Sequence, residues 1–221
     1  MTRNTLLSFS FVFFFAVVAL LTDKLPLKEW NSTSDKPLIF YVSGDGGYTG
    51  FSENICTTIN KTGYKIVALN SKSYFNDQKT PEQTTKDIVV YLNTEFSKRK
   101  NQQLVLAGYS FGAGIVPFIS NILPDSVKKK LISVVLLSPS TSTDFETHIW
   151  DMLGGNKKRS RDVVAEINKM GTIKTAIILE NDAGFPINGI KLKNCDYYKL
   201  AGGHHFEGNT NEVVKTMMKY F

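Results

Sequence analysis

Two short strings carry the residues of this chain whose types and spacing could do chemistry: GYSFG at residues 108–112 and GGHHF at 202–206. A serine hydroxyl is inert at neutral pH until a base accepts its proton, and the base in turn needs an acid to orient it. Ser110 lies between an apolar run at 104–107 and a helix-like segment opening at Phe111. That is the setting in which G-x-S-x-G forms a sharp strand-to-helix turn presenting the serine. The need for glycine at Gly108 and Gly112 is steric, because such a turn presses the residues two before and two after the serine against neighbouring backbone.

The chain has three histidines, His148, His204 and His205. The last two follow the final apolar run, in a loop from which an imidazole can reach back over the strand ends to Ser110. His204 directly follows the permissive glycine and is the expected base, with His205 its rival; His148 is read as a surface residue. For the acid, the string IILENDAG offers Asp182, just beyond the apolar run at 175–179, with Glu180 as the alternative. The order serine, acid, histidine along the chain is that of the α/β-hydrolases. Two N–H donors are also needed for a tetrahedral oxyanion. Phe111, next to the nucleophile, supplies one, and Asp45, in the glycine-rich loop SGDGG at 43–47, supplies the other.

These residues must be held by a sheet. From residue 36 onward, continuous apolar runs at 37–43, 65–69, 104–107, 132–137, 175–179 and 197–200 alternate with helix-like segments. This predicts an α/β fold with a mostly parallel sheet and helices on both faces. Thr80, Pro81 and Gln83 form a strong helix start, a capping box with proline in the first turn, for a helix to about residue 98. Ser52 is the expected cap of an earlier helix reaching residue 61. The last helix is expected within 211–220. Pro117 falls inside the helix after the serine, where it removes a backbone hydrogen bond. The segment 138–170, with Trp150, Met152 and Leu153, has the only room for a lid, so little or no lid is expected.

The first residues differ from the rest. Arg3 is the only charge before an apolar run at 6–21, and the first acid is Asp23. The pattern is that of an export signal or N-terminal membrane anchor at 1–22. Residues 23–35 are then expected to be a linker and 36–221 one domain, placed in the periplasm or on the outer side of the cytoplasmic membrane. Cys56 and Cys195 are too few for a disulfide framework; one bond or two free thiols are both open. A formal net charge of +6 on 221 residues, spread apart from basic runs at 128–130 and 157–161, indicates solvated surface or contact with anionic lipid headgroups. No nucleic-acid reader motif, zinc spacing or phosphate loop is present. No cofactor or metal is called for.

Taken together, YVSGDGGY, SKSYFNDQKTPEQTTKD, LAGYSFGAGIVPF, TDFE ahead of Leu153, Gly154 and Gly155, and LAGGHHFEGN resemble the VirJ/AcvB family of exported bacterial virulence-associated proteins. The resemblance covers nearly all of residues 36–221. It implies an α/β-hydrolase domain outside the cytoplasm, with the nucleophile at Ser110, the acid at Asp182 and the base within His204 and His205. The family includes hydrolases that split the lysyl ester from aminoacylated phosphatidylglycerol, and some members are linked to type IV secretion. The resemblance therefore implies a membrane phospholipid headgroup ester as substrate, secretion-system proteins as partners, and no nucleic acid. The residues themselves leave open a small-molecule carboxylesterase or thioesterase, or an exported binding module that keeps the fold without using the serine. They do not indicate an oligomeric state.

Overall fold

The computed structural model describes residues 25–99, 101–147 and 159–221. The expected signal or anchor at 1–22, His148, Trp150, Met152, Leu153, and Lys157 and Lys158 of the 157–161 basic run lie outside the described residues. The chain begins with β1 (Leu27–Trp30) and β2 (Leu38–Val42), then α1 (Gly50–Lys61), β3 (Ile66–Leu69), α2 (Ser71–Tyr74), α3 (Pro81–Lys98) and β4 (Leu104–Tyr109). It continues with α4 (Phe111–Ile122), α5 (Asp125–Lys128), β5 (Leu131–Leu137), β6 (Ser142–Thr143), β7 (Arg161–Asp162) and α6 (Val163–Ile167). The last elements are β8 (Lys174–Glu180), β9 (Cys195–Leu200) and α7 (Thr210–Met217).

Seven strands form one sheet in the order β1-β3-β2-β4-β5-β8-β9. Every pairing is parallel except β1 with β3. Because side chains alternate across a strand, the apolar runs supply two cores. Phe40, Leu106, Val134 and Ile177 face one layer with Ile88, Leu92, Ile115 and Ile119 of α3 and α4. Tyr41, Val105, Val135 and Ile178 face the other with Ile55, Ile59, Val213 and Met217 of α1 and α7. This is why the strands read as continuous apolar runs rather than as alternating patterns.

Local signals account for the ends of several elements. The capping box of α3 is complete: Gln83 N–H donates to Thr80 Oγ1 over 3.1 Å, and Thr80 N–H donates to Gln83 Oε1 over 2.9 Å. By contrast, Ser52 does not cap α1, because the helix opens at Gly50 after Thr49; Ser52 is buried in its first turn, 3.3 Å from the Tyr41 hydroxyl. α4 runs through Pro117 without ending.

The expected linker at 23–35 is corrected. Residues 27–30 are a strand of the sheet, paired along β3 from Leu27 with Leu69 to Trp30 with Ile66. The turn that follows is gripped by Arg99, whose guanidinium donates to the Ser32 and Ser34 carbonyls. Cys56 on α1 and Cys195 on β9 are free thiols, and burial pushes the Cys195 thiol up to about 11. No helix among the described residues is long and apolar enough to cross a membrane.

Candidate active site

The chain leaves β2 in two directions across the sheet: β3 lies on one side and β4 on the other. Ligand sites of open α/β sheets form where the strand order reverses, beyond the carboxyl ends of the strands. The glycine-rich loop after β2 and the turn after β4 meet there. Ser110 is that turn, with φ 52° and ψ −116°, a left-handed backbone that a side-chain-bearing residue adopts only when the surroundings impose it. Its N–H is tied to the Leu137 carbonyl over 2.8 Å.

Both flanking glycines are required by contact with backbone. A Cβ on Gly108 would stand 2.4 Å from the Gly112 carbonyl oxygen, and one on Gly112 would stand 2.1 Å from the Val42 carbonyl oxygen. The turn is therefore packed too tightly for any methyl group.

Of the two adjacent histidines, His204 is the one that faces Ser110. His204 Nε2 lies 2.8 Å from Ser110 Oγ. His205 points elsewhere, its ring 5.8 Å from Phe51 and 6.1 Å from Tyr109 between centroids. The loop carrying both histidines turns at Gly202, with φ 97°, and is pinned by Phe206, which is buried and stacked on Phe51 at 5.9 Å. Tyr109, the last residue of β4, donates its hydroxyl proton to the His204 carbonyl over 3.0 Å and lays its ring 5.3 Å from the imidazole.

The carboxylate beside His204 is Glu180, the alternative, and not Asp182, the expected acid. Glu180 Oε1 stands 3.4 Å from His204 Nδ1, whereas no hydrogen bond joins Asp182 to either histidine among the described residues. The reason lies in the length of β8, which extends through Glu180, paired with Leu200. A turn closed by Ala183 N–H on the Glu180 carbonyl then carries Asp182 off the strand axis. A carboxylate facing Nδ1 places the imidazole proton there and leaves Nε2 as the acceptor facing the serine.

Ser138, which the sequence reading did not single out, donates from Oγ to Glu180 Oε2. Its signal was available: a small polar residue at the carboxyl end of a buried strand, the same station that Ser110 occupies on the neighbouring strand. Burial opposes charge on Glu180, but hydrogen bonds from His204, Ser138 and its own backbone outweigh it and hold the carboxyl down at about 2.

Phe111 opens α4, so its N–H is a first-turn donor with no acceptor inside the helix. Asp45 lies in the facing loop, and that loop is close: a Cβ on Gly44 would stand 3.6 Å from Ser110 Cβ. Both residues line a cleft of about 1440 Å³ that also holds Ser110, Glu180, Asp182, His204, Arg159 and Asp162. No group of histidine, cysteine and acidic side chains able to hold a metal occurs among the described residues.

The model of the bacterial virulence protein (VirJ) family matches residues 35–221. The chain belongs to the VirJ family. No curated protein matches this VirJ-family chain by sequence. Among solved structures it is similar to a monoacylglycerol lipase from Paleococcus ferrophilus, with a TM-score of 0.60, 14% identity, and 89% of this chain and 99% of that one covered. It is also similar to MGS-MChE2, an α/β-hydrolase enzyme from a lagoon-sediment metagenome (TM-score 0.62, 16% identity, 89% and 94% covered). A thioesterase domain from the curacin biosynthetic pathway gives a TM-score of 0.57 at 12% identity, with 87% and 94% covered. At these identities the likeness shows the α/β-hydrolase fold of this VirJ-family protein, in agreement with its parallel sheet.

Proposed function

We propose that this VirJ-family protein is a serine ester hydrolase in which Ser110 is the nucleophile, His204 the base and Glu180 the orienting acid. The observation that carries the reading is the continuous line of contacts from Ser110 Oγ through the His204 ring to Glu180, 2.8 Å and 3.4 Å long. In the first step Ser110 Oγ attacks the ester carbonyl while its proton passes to His204 Nε2. Glu180 stabilises the imidazolium that forms. The N–H groups of Asp45 and Phe111 take the oxyanion, and the N-terminus of α4 adds a favourable dipole. Collapse expels the alcohol, protonated by His204, and leaves an acyl-serine. Water, deprotonated by His204, then releases the acid.

The substrate is an aminoacyl ester of a phospholipid headgroup, with lysyl-phosphatidylglycerol the leading case, met on the outer face of the membrane after export. Family membership supports this choice. So does the wall of the cleft, where Asp45, Asp162 and Asp182 accompany Glu180, while Asp144 is paired with Arg159; carboxylates suit the ammonium groups of a lysyl ester. The cleft is also larger than the few hundred cubic ångströms that a small ester fills.

The test is free lysine released from lysyl-phosphatidylglycerol vesicles by residues 23–221, beside Ser110→Ala. Release by the wild type, reduced about 10³-fold or more in the variant, is expected. No release from a folded wild type would remove the lipid substrate and leave the small-molecule esterase, the thioesterase and the binding module as readings.

A further inference from the structure

We propose that Ser138 is a positioning residue for Glu180, fixing which carboxylate oxygen faces His204. The inference rests on the hydrolase reading of the site and adds a fourth residue to it. The His204 to Glu180 contact is 3.4 Å, too long to hold the carboxylate in place by itself. Glu180 has one free torsion more than an aspartate, so its carboxylate can swing away from the imidazole unless something holds its other oxygen. Ser138 does so, with Oγ donating to Oε2 while Oε1 is presented to His204.

The backbone at Ser138 supports a role for the hydroxyl. Ser138 has φ 46°, a left-handed conformation in which glycine is the comfortable residue. It is nevertheless a serine, 4% exposed, with its N–H bonded to the Ile178 carbonyl of β8 over 2.8 Å. That bond fixes Ser138 against the strand that ends in Glu180, so donor and acceptor are carried by adjacent, paired strands. A position where glycine would be easier keeps a side chain whose hydroxyl meets the acid.

Among the described residues, few other groups face Glu180. From β4, Tyr109 approaches as a buried phenol whose ionisation is opposed by burial and by the charges of Glu180 and Asp45. From the last loop comes His204, and Asp182 follows on Glu180's own loop. Ser138 is the neutral donor of this set that meets Oε2.

The test uses Ser138→Gly, which relieves the left-handed strain while deleting the hydroxyl, with Ser138→Ala alongside. Two readouts separate the proposal from the reading beneath it. The titration of the Glu180 side-chain carboxyl, followed by carbon NMR on the whole protein, requires no catalysis. It should move from about 2 toward the ordinary carboxylate range in both variants. Labelling of Ser110 by a fluorophosphonate should slow about tenfold or more, while thermal stability of the glycine variant is retained or raised. A Glu180 titration and a labelling rate both unchanged in a folded Ser138→Gly protein would overturn the proposal. A shifted titration with no labelling even in the wild type would keep the positioning contact and defeat the hydrolase reading instead.

Discussion

Ser110, His204 and Glu180 come from three stations along the chain, and the hydrogen-bond line they form depends on one oxygen of one carboxylate. Glu180→Gln should therefore lower turnover by about 10³-fold or more, because the amide can no longer hold a proton on Nδ1 in the needed tautomer. Asp182→Asn should stay within a few-fold, as measured by initial rates on an uncharged ester that the wild type accepts and that makes no use of the cleft's carboxylates. Equal losses in the two would contradict the assignment of Glu180. A stability effect accompanies the first change. The folded carboxyl is held at about 2 against an ordinary 4.5, so its contribution is fully present above 4.5 and drains away as pH falls toward 2. Urea midpoints at pH 6 and pH 3 should differ less in Glu180→Gln than in the wild type. The serine and the glycines were legible in the sequence because their spacing is fixed by the turn, and His204 because the chain has only three histidines. The acid was not, since Glu180 and Asp182 differ only in whether the strand ends before or after residue 180.

At the scale of elements, the turn between β4 and α4 is pressed onto the end of β2. Gly112→Ala should destabilise the fold by about 3 kcal/mol or more, because the clash is with the Val42 carbonyl, which belongs to a central strand and cannot yield. Gly50→Ala is the control: its Cβ would meet nothing within 4 Å, and alanine at a helix start should be neutral or stabilise by up to about 1 kcal/mol. Urea unfolding of both variants checks the contrast, and a Gly112→Ala protein as stable as wild type would mean that the turn is not packed as described. The capping box of α3 shows which element ends a sequence does define, since Thr80 and Gln83 act through bonds three residues apart. The start of α1 shows the reverse. Ser52 has the chemistry of a cap, but burial against Tyr41 claims it.

For the whole molecule, five of the six parallel strands were readable as continuous apolar runs, because strands covered on both faces need apolar side chains on both; β9, at the sheet edge, is half-exposed and carried a weaker signal. β1 was not readable, since LKEW is short and half polar, as befits an edge strand. Only the sheet partner reveals it. β1 nevertheless covers β3, all of whose residues are buried. Removing residues 25–35 should expose an apolar, unpaired strand edge, lowering the urea midpoint and producing concentration-dependent association in size-exclusion chromatography. A truncated protein that stays monomeric and equally stable would show the segment to be the linker first expected. The family match begins at residue 35, yet the sheet of this chain begins before it, at Leu27.

The central claim is that the strained turn at Ser110 presents an activated nucleophile. Its most direct test is covalent capture: incubate residues 23–221 with a fluorophosphonate, digest the protein and locate the adduct by mass spectrometry, with His204→Ala in parallel. The account predicts one adduct, on Ser110, formed by the wild type and lost or slowed about 10³-fold or more without the imidazole. An unlabelled Ser110 in a folded wild-type protein, or labelling indifferent to His204, would contradict it.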